Sequence, residues 1–587
     1  MLSTRFMTWC MTLLSLLPGM KSRSSTLRMS MGAPKHAATM HHWLMTRGPL
    51  KFSGARSVKS ARCIPGVMLL MSSFLHSSCL RVLDLRGSQI TELPKSVGRL
   101  KHLRYLDVSS SPITSLPNCI SNLHNLQTLH LSNCGNLYVL PMSICSLENL
   151  ETLNLSTCHF QTLPDSIGHL QNLQNLNMSF CSFLCTLPSS IGELQSLQDL
   201  NFKGCVNLKI LPDTMCRLQS LHFLNLSQCG ILRALPKNIG NLSNLLHLNL
   251  SQCSDLEAIP DSIGCITRLH TLDMSYCSSL SELPRSVGGL LELQTLILSH
   301  HARSLALPIA TSHLPNLQIL DLSLNIGLEE LPESIDLATL PDGMTTITNL
   351  KHLQNDQCPS LERLPDGFGQ WTKLETLSLL IIGDTCSSIA ELKDLILLSG
   401  CLRIECLSHK KDLTIDAKRA NLRDKRKLSN LTVSWTSSCS SDELKNVETF
   451  LEVLLPPENL EVLEINGYMG TKFPSWMMES MESWLPNITF LSLGNIPNCI
   501  CLPPLGHIPN LHSLELRCIS GVRSIGPEIL AKGQKNTLYQ SLKELHFEDM
   551  PDLEIWPTSL AGDSEESQQQ YSCFQSLKLS LQVDVQR

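Results

Sequence analysis

Seven cysteines stand at near-constant intervals: Cys134, Cys158, Cys181, Cys205, Cys229, Cys253 and Cys277. Thiols in such a series could serve as nucleophiles, disulfide partners or metal ligands. Each chemistry carries a requirement. A reactive thiol needs exposure and a lowered pKa, and zinc needs paired CxxC or Cys/His clusters. The chain offers Cys499 and Cys501 as a bare CxC and no paired CxxC of zinc spacing. His300-His301 interrupts the cysteine series. His102, His130, His169 and His247 read as scattered polar surface residues. No GxSxG elbow, HExxH helix or kinase motif set occurs. Enzymatic chemistry is not expected, and neither is a cofactor or a metal.

The cysteine interval belongs to a longer pattern. An LxxLxL segment begins at Leu80, and its first Leu recurs at 103, 126, 150, 173, 197, 221, 245, 269, 293 and 317, in steps of 23 or 24. The step then stretches to 33, reaching Leu350, and returns to 24 at Leu374. The stretched unit carries both "LPESI" and "LPDGM" and reads as a partial duplication. Every ladder cysteine sits eight residues after its unit's first Leu. A second block follows each strand: "LPKSVGRL" from Leu93, "LPDSIGHL" from Leu163, "LPSSIGEL" from Leu187, "LPRSVGGL" from Leu283.

These blocks have a direct physical reading. The alternating LxL is a short parallel strand with its leucines inward. Proline, which lacks an amide donor, ends the strand and opens a turn. SIGxL is a short helical or 3-10 return. One coil buries too little apolar surface to offset its own chain entropy, so coils must stack and share a core. A fixed period of 23–24 therefore specifies an α/β leucine-rich-repeat solenoid, a horseshoe with an inner parallel β-sheet. In such coils the ladder position takes Asn or Cys, side chain inward, with the weak S–H donor reaching a backbone carbonyl in the bend.

The sheet face can be read as well. The residue between the two strand leucines is Asp84, Asp107, His130, then Asn154, Asn177, Asn201, Asn225, Asn249, Asp273, Ile297 and Asp321. Two residues on, the column is mostly Ser, interrupted by Arg86 and Lys203, while Phe180 and Tyr276 flank ladder cysteines. The Asn/Ser stripe either solvates the sheet or forms a polar protein-docking groove, with Arg86, Asp107, His130, Phe180, Lys203 and Tyr276 as its contacts; Arg and aromatics are the usual interface anchors. Trp435, Tyr468 and Trp476 are candidates for a second surface or for the core.

Composition bounds the rest. Among 587 residues, hydrophobic side chains make up 42% and charged ones 17%, too apolar for disorder. A formal charge of -6 disfavours a basic nucleic-acid binder, and no run of 18 apolar residues suggests a membrane span. Residues 1–78 hold ten Lys or Arg and no Asp or Glu. They read as a basic leader, disordered, with organelle transit or secretion as alternatives. Residues 79–380 are the regular repeats; 381–587 are irregular repeats with inserted loops. Numerous free cysteines fit a reducing, cytoplasmic compartment. The stretch "DAKRANLRDKRKL" (416–428) is either a solvated helix face or a basic contact patch. "GDSEESQQQ" (562–570) reads as a mobile loop.

The repeats resemble the leucine-rich-repeat arm of plant intracellular immune receptors of the nucleotide-binding, leucine-rich-repeat class. "CLRVLDLRGSQITELPKSVGRLKHLRYLDVS" (79–109) is similar to the opening of that arm. "DAKRANLRDKRKLSNLTVSW" (416–435), "LLPPENLEVLEINGYMGTKFPSWM" (454–477) and "CLPPLGHIPNLHSLELRCISGVRSIGPE" (501–528) resemble the coiled-coil subgroup. The LPxSIG block is shared with Ras-linked intracellular repeat scaffolds, which leaves a signalling scaffold as the alternative. The resemblance implies a protein-recognition module in plant defence, binding an effector or host protein, or restraining a nucleotide-binding switch. Such a switch would act in cis in a longer product or in trans. The chain holds no GxxxxGKS/T phosphate loop, so nucleotide binding is not carried over.

Overall fold

The computed structural model describes residues 60–62, 79–301, 307–325, 340–358, 361, 363–383, 388–407, 412–436, 443–479, 481–523, 541–553 and 578–582. The chain divides into two units, Met1–Gly54 and Ala55–Arg587, and every described residue lies in the second.

Two inward leucines per coil make a strand of three residues. Among the described residues fourteen short strands pair in chain order into one parallel sheet, each of three residues except the last, from β1 (Ser60–Arg62) and β2 (Val82–Asp84) to β13 (His352–Gln354) and β14 (Thr376–Leu377). Register never slips along the leucine rows: Leu83 faces Leu106, Leu129 faces Leu153, Leu224 faces Leu248, and Leu272 faces Leu296. The sheet also starts earlier than expected. β1 falls inside the stretch read as leader and pairs Ala61 with Leu83. That strand has no LxL, so the leucine period does not mark it. The remainder of residues 1–78 lies outside the described residues, as do "LPESI" and residues 562–570.

Pro after Leu introduces a 3-10 turn, as in Lys95–Arg99 and Ser189–Glu193, whose Ile or Val is buried. The Gly that follows is required by close approach. A Cβ on Gly168 would lie 2.5 Å from the Ser190 carbonyl oxygen of the next coil. Asparagines stitch the returns together: Asn125 Nδ2 donates to Lys101 O at 2.8 Å and Asn149 Nδ2 to His124 O at 2.7 Å.

A second parallel sheet of eight strands runs from β15 (Leu379–Ile382) through β16 (Ser399–Cys406) and β17 (Lys427–Trp435) to β22 (Lys578–Gln582). The change occurs at Ser378. β14 pairs backward with β13, while β15, two residues on, pairs forward with β16. Fully buried Asn355 closes the gap. Its Oδ1 accepts from Leu379 N at 3.0 Å, its Nδ2 donates to Leu379 O at 2.9 Å, and Ser378 Oγ accepts from Asn355 N at 2.7 Å. One side chain thus stands in for a strand partner, so no backbone group is orphaned there.

The irregular coils carry two longer helices, α1 (Asp412–Ala420) and α2 (Leu444–Val453). The charged 416–428 stretch is part of this packing: Ala417, Ala420, Leu422 and Leu428 are buried. Lys425 is buried too and caps Leu395 O at 3.1 Å. Burial pushes its ammonium pKa down to about 8. Arg423 lies over the Trp484 ring at 4.5 Å and reaches Glu458 at 3.2 Å. Trp435, Tyr468 and Trp476 are all buried, so none anchors a second surface. Trp435 packs against Tyr468 at 5.4 Å and against Phe450 at 6.3 Å.

Candidate protein-binding face

Where the strand's second leucine ends, its carbonyl has no strand partner. The ladder residue of the next coil supplies one. Cys158 Sγ donates to Leu131 O at 3.1 Å, Cys205 to Met178 O at 3.2 Å, and Cys277 to Leu250 O at 3.2 Å. Asn325 makes the same bond to Leu298 O at 3.0 Å, and Cys358 to Leu322 O at 2.9 Å. His301 occupies the ladder position of its coil, buried, with Nδ1 at 2.9 Å from Cys277 O. All seven ladder thiols are buried and free. Burial raises their pKa, to about 12 for Cys158, Cys205, Cys253 and Cys277 and about 11 for Cys181. These are structural donors.

The residue just before each ladder position is left-handed: Thr157 (φ 58), Phe180 (φ 59), Gln228 (φ 63), Tyr276 (φ 59) and His300 (φ 62), with Gly at 87 and 204. The Asn/Asp column holds that turn in shape. In coil after coil its Oδ1 accepts the amide two residues on: Asn154 from Ser156 at 3.0 Å, Asn177 from Ser179 at 3.0 Å, Asn201 from Lys203 at 3.0 Å, Asn225 from Ser227 at 2.9 Å. Asp273 and Asp321 do the same at 3.0 Å. These are Asx-turns, so half of each side chain is committed to the frame.

The six residues picked out from the sequence fall into three groups. Arg86, two residues past β2, comes together with Asp107 on β3 (Tyr105–Asp107) and His130 on β4 (Thr128–His130). Arg86 donates to Asp107 Oδ2 at 2.8 and 3.1 Å, and Tyr105 Oη donates to the same oxygen at 3.1 Å. Burial works to raise the Asp107 pKa, but hydrogen bonds from Ser109 and the Arg86 charge outweigh it and hold the carboxyl below its usual value. Burial, with the same carboxylate second, pushes the Tyr105 hydroxyl up to about 12. His130 lies 5.5 Å from the Tyr105 ring, and burial lowers its pKa. Phe180 and Lys203 form the second group, with Nζ 5.8 Å from the ring centroid. Tyr276 stacks on His300 at 3.9 Å.

Reasoning from sequence missed Tyr105, His300 and Gly204. A Cβ on Gly204 would lie 2.5 Å from Phe180 Cδ1, so this Gly lets the ring lie flat against the next coil. The signal was available: Gly204 follows Phe180 by one coil at the same position of the repeat. Also missed is an apolar cluster between the ladder and the proline block. Tyr138, His159 and Phe183 form a three-ring row with centroids 5.8 and 4.9 Å apart, and Tyr138 and Phe183 are exposed. It lies off the strands, where the LxL pattern gives no facing rule. On the second sheet the exposed rows are charged: Arg403 sits 3.8 Å from Glu405, and Arg517 pairs with Glu515 and, at 4.0 Å, with Glu548. Among the described residues no His/Cys/Asp/Glu group could hold a metal ion, and no helix is long and apolar enough to cross a membrane.

Comparison with known proteins agrees with this architecture. Residues 54–183 and 181–275 match the family described as leucine-rich repeat region, and 389–519 match the R13L1/DRL21 leucine-rich repeats. Disease resistance protein RGA2 of Solanum bulbocastanum is 39% identical over 153 residues, 25% of this chain and 15% of that protein. RGA1 of the same species is 40% identical over 158 residues, 27% of this chain and 15% of RGA1. The matches thus span about a seventh of those relatives' length. Among solved structures, a TDR receptor shares the fold at 19% identity with a TM-score of 0.50, covering 84% of this chain and 82% of that one.

Proposed function

We propose that this leucine-rich-repeat chain, kin in its repeats to plant disease resistance proteins, is a protein-recognition arm in plant defence. It takes an effector or host protein on the exposed face of the first sheet, or restrains a nucleotide-binding switch supplied in cis or in trans. The observation that carries this reading is the kinship of its repeats with RGA2. The sheet face supports it, because anchors of the interface kind stand there half-exposed on a frame that barely varies: Phe180, Lys203 and Tyr276. We place the chain in the cytosol. Free, donor-paired ladder thiols support a reducing compartment. The match of 389–519 to the R13L1/DRL21 repeats favours the immune reading over a Ras-linked scaffold.

The test is co-expression in leaf tissue with the nucleotide-binding region that precedes the repeats in receptors of this class. The chain should co-purify with that region and lower the cell death it triggers. Phe180→Ala with Lys203→Glu tests the face itself by weakening capture of a partner bound there. No co-purification and unchanged cell death would remove the restraining role.

A further inference from the structure

The Asx-turns give the sheet face a chemical polarity. A backbone N–H must meet an oxygen, so the turn fixes which end of each asparagine looks inward. In Asn154, Asn177, Asn201 and Asn225 the Oδ1 is held to the amide two residues on. That leaves the Nδ2 amide group, a donor only, as the unpartnered end of each side chain beside the oxygen's second lone pair. These four amines have no partner among the described residues, and the residues are half-exposed. Asn249 continues the row and shows what such an amine takes: its Nδ2 donates to the Asp273 carboxylate at 3.2 Å. The row therefore spans five successive strands, about 19 Å at the usual strand spacing. Lys203 adds a cation in mid-row, two residues from Asn201 on the same strand face. Asp199, two residues to the other side, is the acidic residue of that strand.

We propose that this donor row is the docking floor for an acidic segment of a protein partner, one that presents carboxylates and carbonyl oxygens to it. The inference rests on the recognition-arm reading and names the chemistry of what that arm takes. A basic segment would set donors against donors. A nucleic acid would demand many cations, and the row holds one, on a chain with more acidic than basic residues. Dispersed carboxylates need only the amines and one lysine.

The structure supplies its own isosteric control. Asp273 and Asp321 form the same turn as the asparagines, with the same oxygen and the same 3.0 Å distance. Replacing Asn by Asp therefore keeps the frame and swaps an outward donor for an outward acceptor. Fluorescein-labelled octaglutamate, octalysine and octauridylate would be titrated onto the full chain by anisotropy at low salt. Octaglutamate should bind and octalysine should not. The triple variant Asn177→Asp, Asn201→Asp, Asn225→Asp should weaken octaglutamate at least about tenfold, as like charges meet, with an unchanged circular dichroism spectrum. Asp273→Asn, which lengthens the row and frees the Asn249 amine, should tighten it. Undiminished binding by the triple variant, equal binding of octalysine, or preference for octauridylate would each overturn the proposal. If octaglutamate fails while the nucleotide-binding region still co-purifies, the donor row falls and the recognition arm stands.

Discussion

At the ladder position a thiol acts as a hydrogen-bond donor, and its price is paid in alkali. In the unfolded chain these cysteines ionise near their ordinary value of 9.0, whereas burial holds the folded ones protonated to about 11 or 12. Between those values the unfolded state binds fewer protons, so stability falls as pH rises. Each thiol contributes about 1.4 kcal/mol per pH unit across that window, and the ladder adds them. We predict that the guanidinium unfolding midpoint is steady from pH 7 to 8 and drops steeply between about pH 9 and 10; a flat profile would contradict the buried ladder. A second residue-scale expectation concerns Gly204. Gly204→Ala puts a methyl into a left-handed position (φ 72) and against Phe180. It should cost about 1 kcal/mol or more in thermal melts and displace the ring from Lys203. At this scale the sequence was legible where a residue repeats, as with the cysteines. It was silent where a role depends on a neighbour one coil away: Tyr105 beside His130, or His300 under Tyr276.

The elements followed the leucine period closely, since an alternating LxL can bury its leucines in one orientation only. Two departures have physical causes. β1 lacks the leucine pattern and is marked only by its pairing with β2. The sheet change at Ser378 arises because the later strands lengthen, β16 to eight residues and β17 to nine, and Asn355 bridges the mismatch. Asn355→Leu should therefore be far more damaging than its volume suggests. It leaves the amide and carbonyl of Leu379 buried without partners, at about 1–3 kcal/mol each. Urea unfolding of this variant should separate into two transitions monitored by far-UV circular dichroism; a single unshifted transition would show that the splice carries no coupling. Trp435, Tyr468 and Trp476 could not be placed from sequence, because in coils with inserted helices an aromatic can face either way.

In a stacked array each coil is stabilised by its two neighbours, so stability should vary along the chain. Leu224 is fully buried in mid-array, and Leu224→Ala should cost about 2–5 kcal/mol. Amide exchange should be slowest over 200–275 and faster over 83–108, where fewer coils lie on one side; equal protection would mean the N-terminal edge is covered as firmly as the middle. The left-handed position has a further consequence. Across the coils it holds Gly, Ser, Asn, Thr, Phe, Gln, Tyr, His and Leu at similar positive φ. The frame accepts many different letters there, while the surface is defined by which one stands. The array is therefore modular in the manner of movable type. Whole coils of 23 or 24 residues can be duplicated, deleted or exchanged between related genes by recombination within the repeats. Each exchange would rewrite the exposed text by one character and leave the press intact.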